Sequence, residues 1–435
     1  MAENLTFSTL QAILTETFQH LPDPRTGANT RYTMADAALG AFSVFFTQSP
    51  SFLAYQRDMQ RRKGDNNAHR LFGVAHIPTD AQIRNLLDPV DPAHLRPPFW
   101  AILERLLADG EVAAALTEAG RWMVSLDGTQ YFGSPAIHCP QCTVTERAEG
   151  TRYAHSALIP VLGRPGASDV LALEPEFIKP QDGAAKQDSE QRAAARWVAR
   201  NGARLAAHRA TVLADDLHCH QPFVELLRAQ QLDFILTCKP SSHPTLYEEV
   251  ALLDRLGAVG QREEHVGTAQ GRERWTYRFA EHVPLREPPG ARYVNWCELT
   301  VTHETTGEVR YHNAWATNWP VNAETVGAVA RTGRARWKVE NEGYNVLKRR
   351  GYCLEHNYGH GQQHLAAVLV TLMLLAFLSH TVLGRCDRAY QRVRAELGPR
   401  RTFFEDLRAL TRYLLFASWE DLLRFMVVGL EIGPP

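Results

Sequence analysis

Two short apolar runs, each ending in an aspartate, constrain this chain more than any other feature: Trp122-Met-Val-Ser-Leu-Asp127 and Ala210-Thr-Val-Leu-Ala-Asp215. Each reads as a strand with a carboxylate at its C-terminal end. Between them, Gly and Pro residues mark off two further strands, Arg152 to Leu162 and Asp169 to Ile178. A long helix rich in Ala, Arg, Glu and Gln follows, from about Asp188 to His208. After Asp215 come an amphipathic helix, from about Gln221 to Gln230, and a strand from Phe234 to Cys238. The order is therefore β-β-β-α-β-α-β, with no internal repeat and no low-complexity tract.

That order predicts an α/β fold with a ribonuclease H-like mixed sheet, in which the first and fourth strands are neighbours. Asp127 and Asp215 would then meet at one place. Asp216 competes with Asp215, but Asp215 directly follows the apolar run. A third acid, Glu340, sits in the helix-like segment Arg336-Trp-Lys-Val-Glu340. Glu342 is its rival, and residues two apart on a helix point about 200° apart, so only one can face the pair. Three such carboxylates can hold two divalent metals roughly 3.5–4 Å apart for phosphoryl transfer.

The flanking sequence suggests helical ends and a β-rich insertion. Residues 1 to about 118 read as helical, with Thr33 capping one helix and Thr79 or Asp80 another. Between about Ser241 and Pro320, the runs Arg274–Phe279, Arg292–Thr302 and Val309–Thr317 alternate like antiparallel strands. The expected divisions are 1–118, 119–240, 241–321, 322–385 and 386–435. The first is a helical region without a helix-turn-helix spacing, the third the insertion, and the last helical. Trp315 and Trp319, in the insertion, read as core aromatics, with base stacking as the other reading.

With 435 residues and a formal net charge of -1, the chain has no overall basic coat, but its charge is uneven. Arg331, Arg334, Arg336, Lys338, Lys348, Arg349 and Arg350 cluster around Glu340, and a second basic stretch runs from Arg385 to Arg412. Basic patches beside acidic metal ligands suit a polyanion such as DNA. Glu3 and Glu16 interrupt any signal peptide. The apolar run Leu365–Leu383 has nearly the length of a membrane span, yet His364 and His380 bracket it and no second span accompanies it, so it reads as a buried core helix.

Seven scattered cysteines do not form a disulfide framework. His138-Cys139-Pro-Gln-Cys142 has half the spacing of a tetrahedral zinc site, with His155 or the cluster His218-Cys219-His220 as candidates for the other ligands; reduced, unliganded thiols are the other reading. The four-residue spacing of His356, His360 and His364 invites a metal reading, but Gly359 and Gly361 break the helix it would need. That segment reads instead as a turn and helix start.

Taken together, Asp127, Asp215 and the Arg336-x3-Glu340 core resemble the DDE transposases of bacterial insertion sequences. The similarity is to the branch with a β-strand insertion before the catalytic Glu and a Y-x2-R-x3-E-x6-K signature. Two positions depart from it: Gly333 stands where the Tyr belongs, and Lys348 arrives one residue late. The resemblance implies Mg²⁺ held as two ions by Asp127, Asp215 and Glu340, with Mn²⁺ as a substitute. It implies contacts from Arg336, Lys348, Arg334, Lys338 and Arg349 to double-stranded DNA, both terminal inverted repeats and target. It further implies a homodimer in the synaptic complex, no membrane, and a cytoplasmic, nucleoid-associated location. The expected reaction is strand cleavage followed by 3′-hydroxyl strand transfer. The alternatives are a ribonuclease H-fold nuclease or resolvase without strand transfer, and a DNA-binding derivative that no longer cuts.

Overall fold

The computed structural model describes residues 5–27, 30–60, 66–108, 120–180, 188–268 and 271–433. The helical expectation for 109–118 lies outside these residues. The chain is mixed α/β, with a mixed sheet and helical ends. Its core strands are β1 (Met123–Ser125), β5 (Val161–Gly163), β6 (Leu171–Ala172), β8 (Thr211–Ala214) and β9 (Asp233–Thr237). They lie in the order β6-β5-β1-β8-β9, with β1, β8 and β9 parallel and β5 antiparallel to β1. The register pairs Ser125 with Leu213, so Asp127 and Asp215 each leave their strand two residues beyond that pair.

Two expected strands are each divided at a proline. Pro160 cannot donate to a ladder, and the run from Arg152 to Leu162 splits there into β4 (Gly150–Leu158) and β5. Pro175 likewise separates β6 from β7 (Glu176–Ile178). The outer halves, β4 and β7, join β2 (Gly128–Ser134) and β3 (Thr143–Arg147) in a second, four-stranded sheet. This second sheet was not expected, nor was β2, which begins immediately after Asp127.

The insertion is a meander of β10 (Gly260–Thr268), β11 (Gly271–Pro284), β12 (Tyr293–His303) and β13 (Val309–Thr317). It is continuous with the core: β13 pairs with β9, giving one nine-stranded sheet. The long Ala/Arg helix is observed as α7 (Glu190–Ala207) and the next as α8 (Gln221–Ala229), close to their expected bounds.

Six α-helices precede β1 among the described residues: α1 (Phe7–Gln19), α2 (Met34–Phe46), α3 (Phe52–Met59), α4 (Asn67–Phe72), α5 (Asp80–Leu87) and α6 (Pro97–Leu107). Thr33 caps α2 in a capping box with Asp36, and Thr79, rather than Asp80, caps α5. After β9 comes α9 (Pro244–Arg255); α10 (Val326–Arg334) follows β13, and α11 (Asn345–Arg349) precedes the apolar helix α12 (Leu365–Cys386). The end of the chain folds as α13 (Arg388–Leu397), α14 (Arg400–Tyr413) and α15 (Trp419–Gly429).

Helix α12, of 22 residues, is long and apolar enough to cross a membrane, with a mean hydropathy of 2.2. Its apolar window is 94% buried within the protein, as expected for a core helix. It packs on α2, and the Asp88 carboxylate accepts from the main-chain N–H groups of Gln363 and Leu365 to secure its start. One continuous apolar core joins the N-terminal helices, one face of the central sheet, α12 and the C-terminal helices. On the other face, Met123, Leu213, Ile235 and Trp315 pack with Val326 and Val329 of α10.

Candidate acidic site and a cysteine–histidine cluster

Strand pairing fixes the first two acids. Leu126 N–H donates to the Leu213 carbonyl at 2.8 Å, holding the chain in register up to Asp127. The main-chain carbonyl of Asp127 accepts from Ile159 N–H at 3.1 Å and from the Tyr344 hydroxyl. Asp215 accepts from Leu217 N–H at 3.0 Å and starts a short 3₁₀ turn. Asp216 is held elsewhere: it accepts from Lys239 N–H at 2.7 Å and from the Ser242 hydroxyl, closing the loop after β9.

Glu340 reaches the same place from the far end of the sequence. The segment after α10 tightens to a 3₁₀ turn over Ala335–Trp337 and then widens to a π-helical stretch over Val339–Tyr344. Such π segments interrupt regular helices and recur at functional sites. Angles reckoned at a uniform helical pitch, including those expected for Glu342 and Lys348, therefore do not carry across this stretch. Arg336 lies between two of the acids, 2.8 Å from Glu340 Oε1 and 3.6 Å from Asp127 Oδ2. Burial above all pushes the Asp127 carboxyl up to about 7; Arg336 opposes the rise, and the carboxylates of Glu190, Glu340 and Asp215 add to it. Those three groups are thus its electrostatic neighbours.

Glu190 is the residue that sequence reasoning missed. It is the first residue of α7, after the capping Ser189. Its Oε1 accepts from Gly128 N–H at 2.9 Å and lies 3.2 Å from Nε2 of buried His218. Asp127 Oδ1 accepts from that same N–H at 3.0 Å. Gly128 permits this approach, because a Cβ there would sit 2.2 Å from the Glu190 carboxylate. Helix α7 is itself fixed by a buried ionic network: Arg200 donates to Glu174 at 2.8 Å, and Arg196 to Glu176 and Asp188 at 2.8 and 2.7 Å.

The expected DNA-contacting cations have varied surroundings. Arg334 stacks between the Trp275 and Tyr311 rings, Lys338 donates to the Ala167 carbonyl, and Lys348 pairs with Glu355 at 2.8 Å. Arg349 is exposed and, with Arg350, Arg394, Arg400, Arg401 and Arg408, lines a cavity of about 610 Å³. Trp315 is fully buried, which removes the base-stacking reading for it. Its ring also accounts for Gly333: a Cβ there would meet Trp315 Nε1 at 2.6 Å, leaving no room for the signature Tyr.

Cys139, Cys142 and His155 come together as expected, but the fourth member is His360, not His138. His138 is exposed, bonds through Nδ1 to the Ala136 carbonyl and stacks on Tyr153. His218, Cys219 and His220 lie elsewhere; Cys219 belongs to a separate group with Cys238 and His243. The reading of 356–364 as a mere turn missed His360, because the ligands come from different elements and no helix spacing is needed. The group of four could hold a metal such as zinc.

No family model matches this chain, and no match was found among curated proteins.

Proposed function

We propose that this chain is a DDE transposase on a ribonuclease H-like core, cutting and joining DNA with divalent metal ions. The observation that carries the reading is the convergence of Asp127 and Asp215, from neighbouring parallel strands, with Glu340 from a helix far along the chain. The core strand order β6-β5-β1-β8-β9, with a meander entering after β9 and returning before Glu340, supports it further.

The donor set fits the implied metal. Asp127, Asp215 and Glu340 offer only carboxylate oxygens, which suit Mg²⁺ and Mn²⁺ and not softer ions. Such ions, when bound as a pair, supply activation of an attacking hydroxyl and stabilisation of the leaving oxygen. The protein's own residues set the frame. Tyr344 and Ile159 hold the Asp127 main chain, and Gly128 N–H is shared between Asp127 and Glu190. Arg336 orients Glu340 and is placed to meet a phosphate with its planar fork. Double-stranded DNA, as terminal inverted repeats and then target, is the partner, with a homodimer in the joined complex and a cytoplasmic setting.

The test begins with inverted repeats in the DNA flanking the gene. Duplexes carrying those ends should be cut at the element boundary in Mg²⁺, and the cut 3′ ends should join a plasmid. Cutting without joining would leave a nuclease or resolvase. Binding without cutting in Mg²⁺ or Mn²⁺ would leave a derivative that no longer cleaves.

A further inference from the structure

We propose that Cys139, Cys142, His155 and His360 bind one structural zinc ion. A tetrahedron with Zn–S near 2.3 Å and Zn–N near 2.0 Å requires ligand separations of about 3.8 Å for S–S, 3.5 Å for S–N and 3.3 Å for N–N. Here the two Sγ atoms are 4.0 Å apart. His155 Nε2 lies 3.5 and 3.4 Å from them, and His360 Nε2 lies 3.4 Å from Cys142 Sγ. The two Nε2 atoms are 3.1 Å apart. These five separations are within a few tenths of an ångström of the tetrahedral values, and all four ligand atoms lie within 4.8 Å of one another.

Hydrogen bonds orient the ligands. His360 Nδ1 donates to the Gly361 carbonyl at 2.9 Å, leaving the Nε2 lone pair facing the cluster. Cys139 N–H donates to Cys142 Sγ at 3.5 Å, and Cys142 N–H donates to the Cys139 carbonyl at 3.1 Å, forming the turn of a metal knuckle. Phe132 packs on His360 at 4.6 Å, providing an apolar wall. A disulfide would need the sulfurs about 2.0 Å apart and would leave two buried imidazoles facing each other. Two thiolates and two imidazoles select zinc over Mg²⁺ or Ca²⁺, and four protein ligands leave no open position, so the role is structural.

The site joins two parts of the fold that share no sheet. His155 lies on β4 of the second sheet, and Cys139 and Cys142 in the loop joining its strands β2 and β3, of which β2 starts beside Asp127. His360 comes from the stretch between α11 and α12, just beyond Glu340. The proposal does not depend on the transposase reading.

Full-length protein purified without chelator should contain about one zinc per chain by mass spectrometry. Cys142→Ser and His360→Ala should lose it, while His138→Ala and Cys219→Ser keep it. Cobalt exchanged into the wild-type chain should give the visible bands of tetrahedral, thiolate-ligated cobalt, which tests the site even if a variant fails to fold. Chelation should lower the melting temperature, and zinc alone should restore it. Zinc lost in Cys219→Ser but kept in Cys142→Ser would overturn the proposal, as would wild-type protein that takes up neither zinc nor cobalt with thiolate bands.

Discussion

Gly128 and Glu190 are 62 residues apart in sequence but 2.9 Å apart in space. Nothing local marks Glu190 as different from any other acid in the first turn of a helix; only the position of α7 against β2 does. The structure gives this residue a testable weight beside the three acids read from sequence. Asp127→Asn, Asp215→Asn and Glu340→Gln should each cost several kcal/mol of transition-state stabilisation, lowering cleavage roughly 10³-fold or more while DNA binding persists. Glu190→Gln retains an oxygen to accept from Gly128 N–H but removes a charge from beside Asp127. Single-turnover cleavage in that variant should fall roughly 10–100-fold, the usual scale for an outer-shell partner. A rate equal to wild type would reduce Glu190 to a structural acceptor. Asp216→Asn should retain most activity, since Asp216 is committed to Lys239 N–H and Ser242; full inactivation would reverse its assignment relative to Asp215.

At the scale of elements, the apolar helix α12 carries one buried polar group that couples its packing to pH. His380 is enclosed, with Nε2 2.8 Å from the Phe46 carbonyl and Nδ1 3.0 Å from the Tyr390 hydroxyl, and stacks on Phe46 at 4.0 Å. Burial lowers it to about 3, partly opposed by the Phe46 carbonyl, with Arg400 and Arg394 adding to the depression. Unfolded, it titrates near 6.5, so above that pH both states are neutral and the residue contributes no slope. Below it, only the unfolded chain takes up the proton, and stability falls by roughly 1.4 kcal/mol per pH unit until about pH 3. Urea unfolding at pH 7 and pH 5 should therefore show a wild-type loss larger by roughly 2 kcal/mol than that of His380→Gln. Equal losses would mean that His380 is protonated within the fold. The helix itself was legible because its apolar run is long and uncharged, and β1 and β8 were legible because short apolar runs end in Asp127 and Asp215. The division of strands at Pro160 and Pro175 was not, since apolar residues resume beyond each proline and only sheet pairing shows that the halves belong to different sheets. The π-helical stretch around Glu340 and the arrival of His360 at the cysteines also depend on tertiary packing, which periodicity does not encode.

For the whole molecule, the small formal net charge of -1 conceals a separation in space between acids at the sheet ends and arginines among the C-terminal helices. The π-helical segment carrying Glu340 runs into α11, and Arg349 and Arg350 at its end open onto the cavity that α13 and α14 line with Arg394, Arg400, Arg401 and Arg408. Part of that charge is committed within the protein: Arg408 donates to the Thr47 and Gln48 carbonyls, Arg394 to the Pro399 carbonyl, and Arg401 pairs with Glu405 at 2.7 Å. Arg349, at the end of α11, and Arg400, at the start of α14, line the same cavity, so a DNA backbone laid along it would meet both. Each phosphate neutralised releases counterions and adds about 0.9 to the slope of log affinity against log salt. The double variant Arg349→Ala with Arg400→Ala should therefore weaken binding to terminal and unrelated duplexes alike and reduce the salt slope by roughly two. At saturating DNA its cleavage rate should remain near wild type, the reverse of the behaviour expected for Asp127→Asn. An unchanged salt slope would separate the arginine cavity from the DNA path and confine the DNA contact to the residues around Glu340.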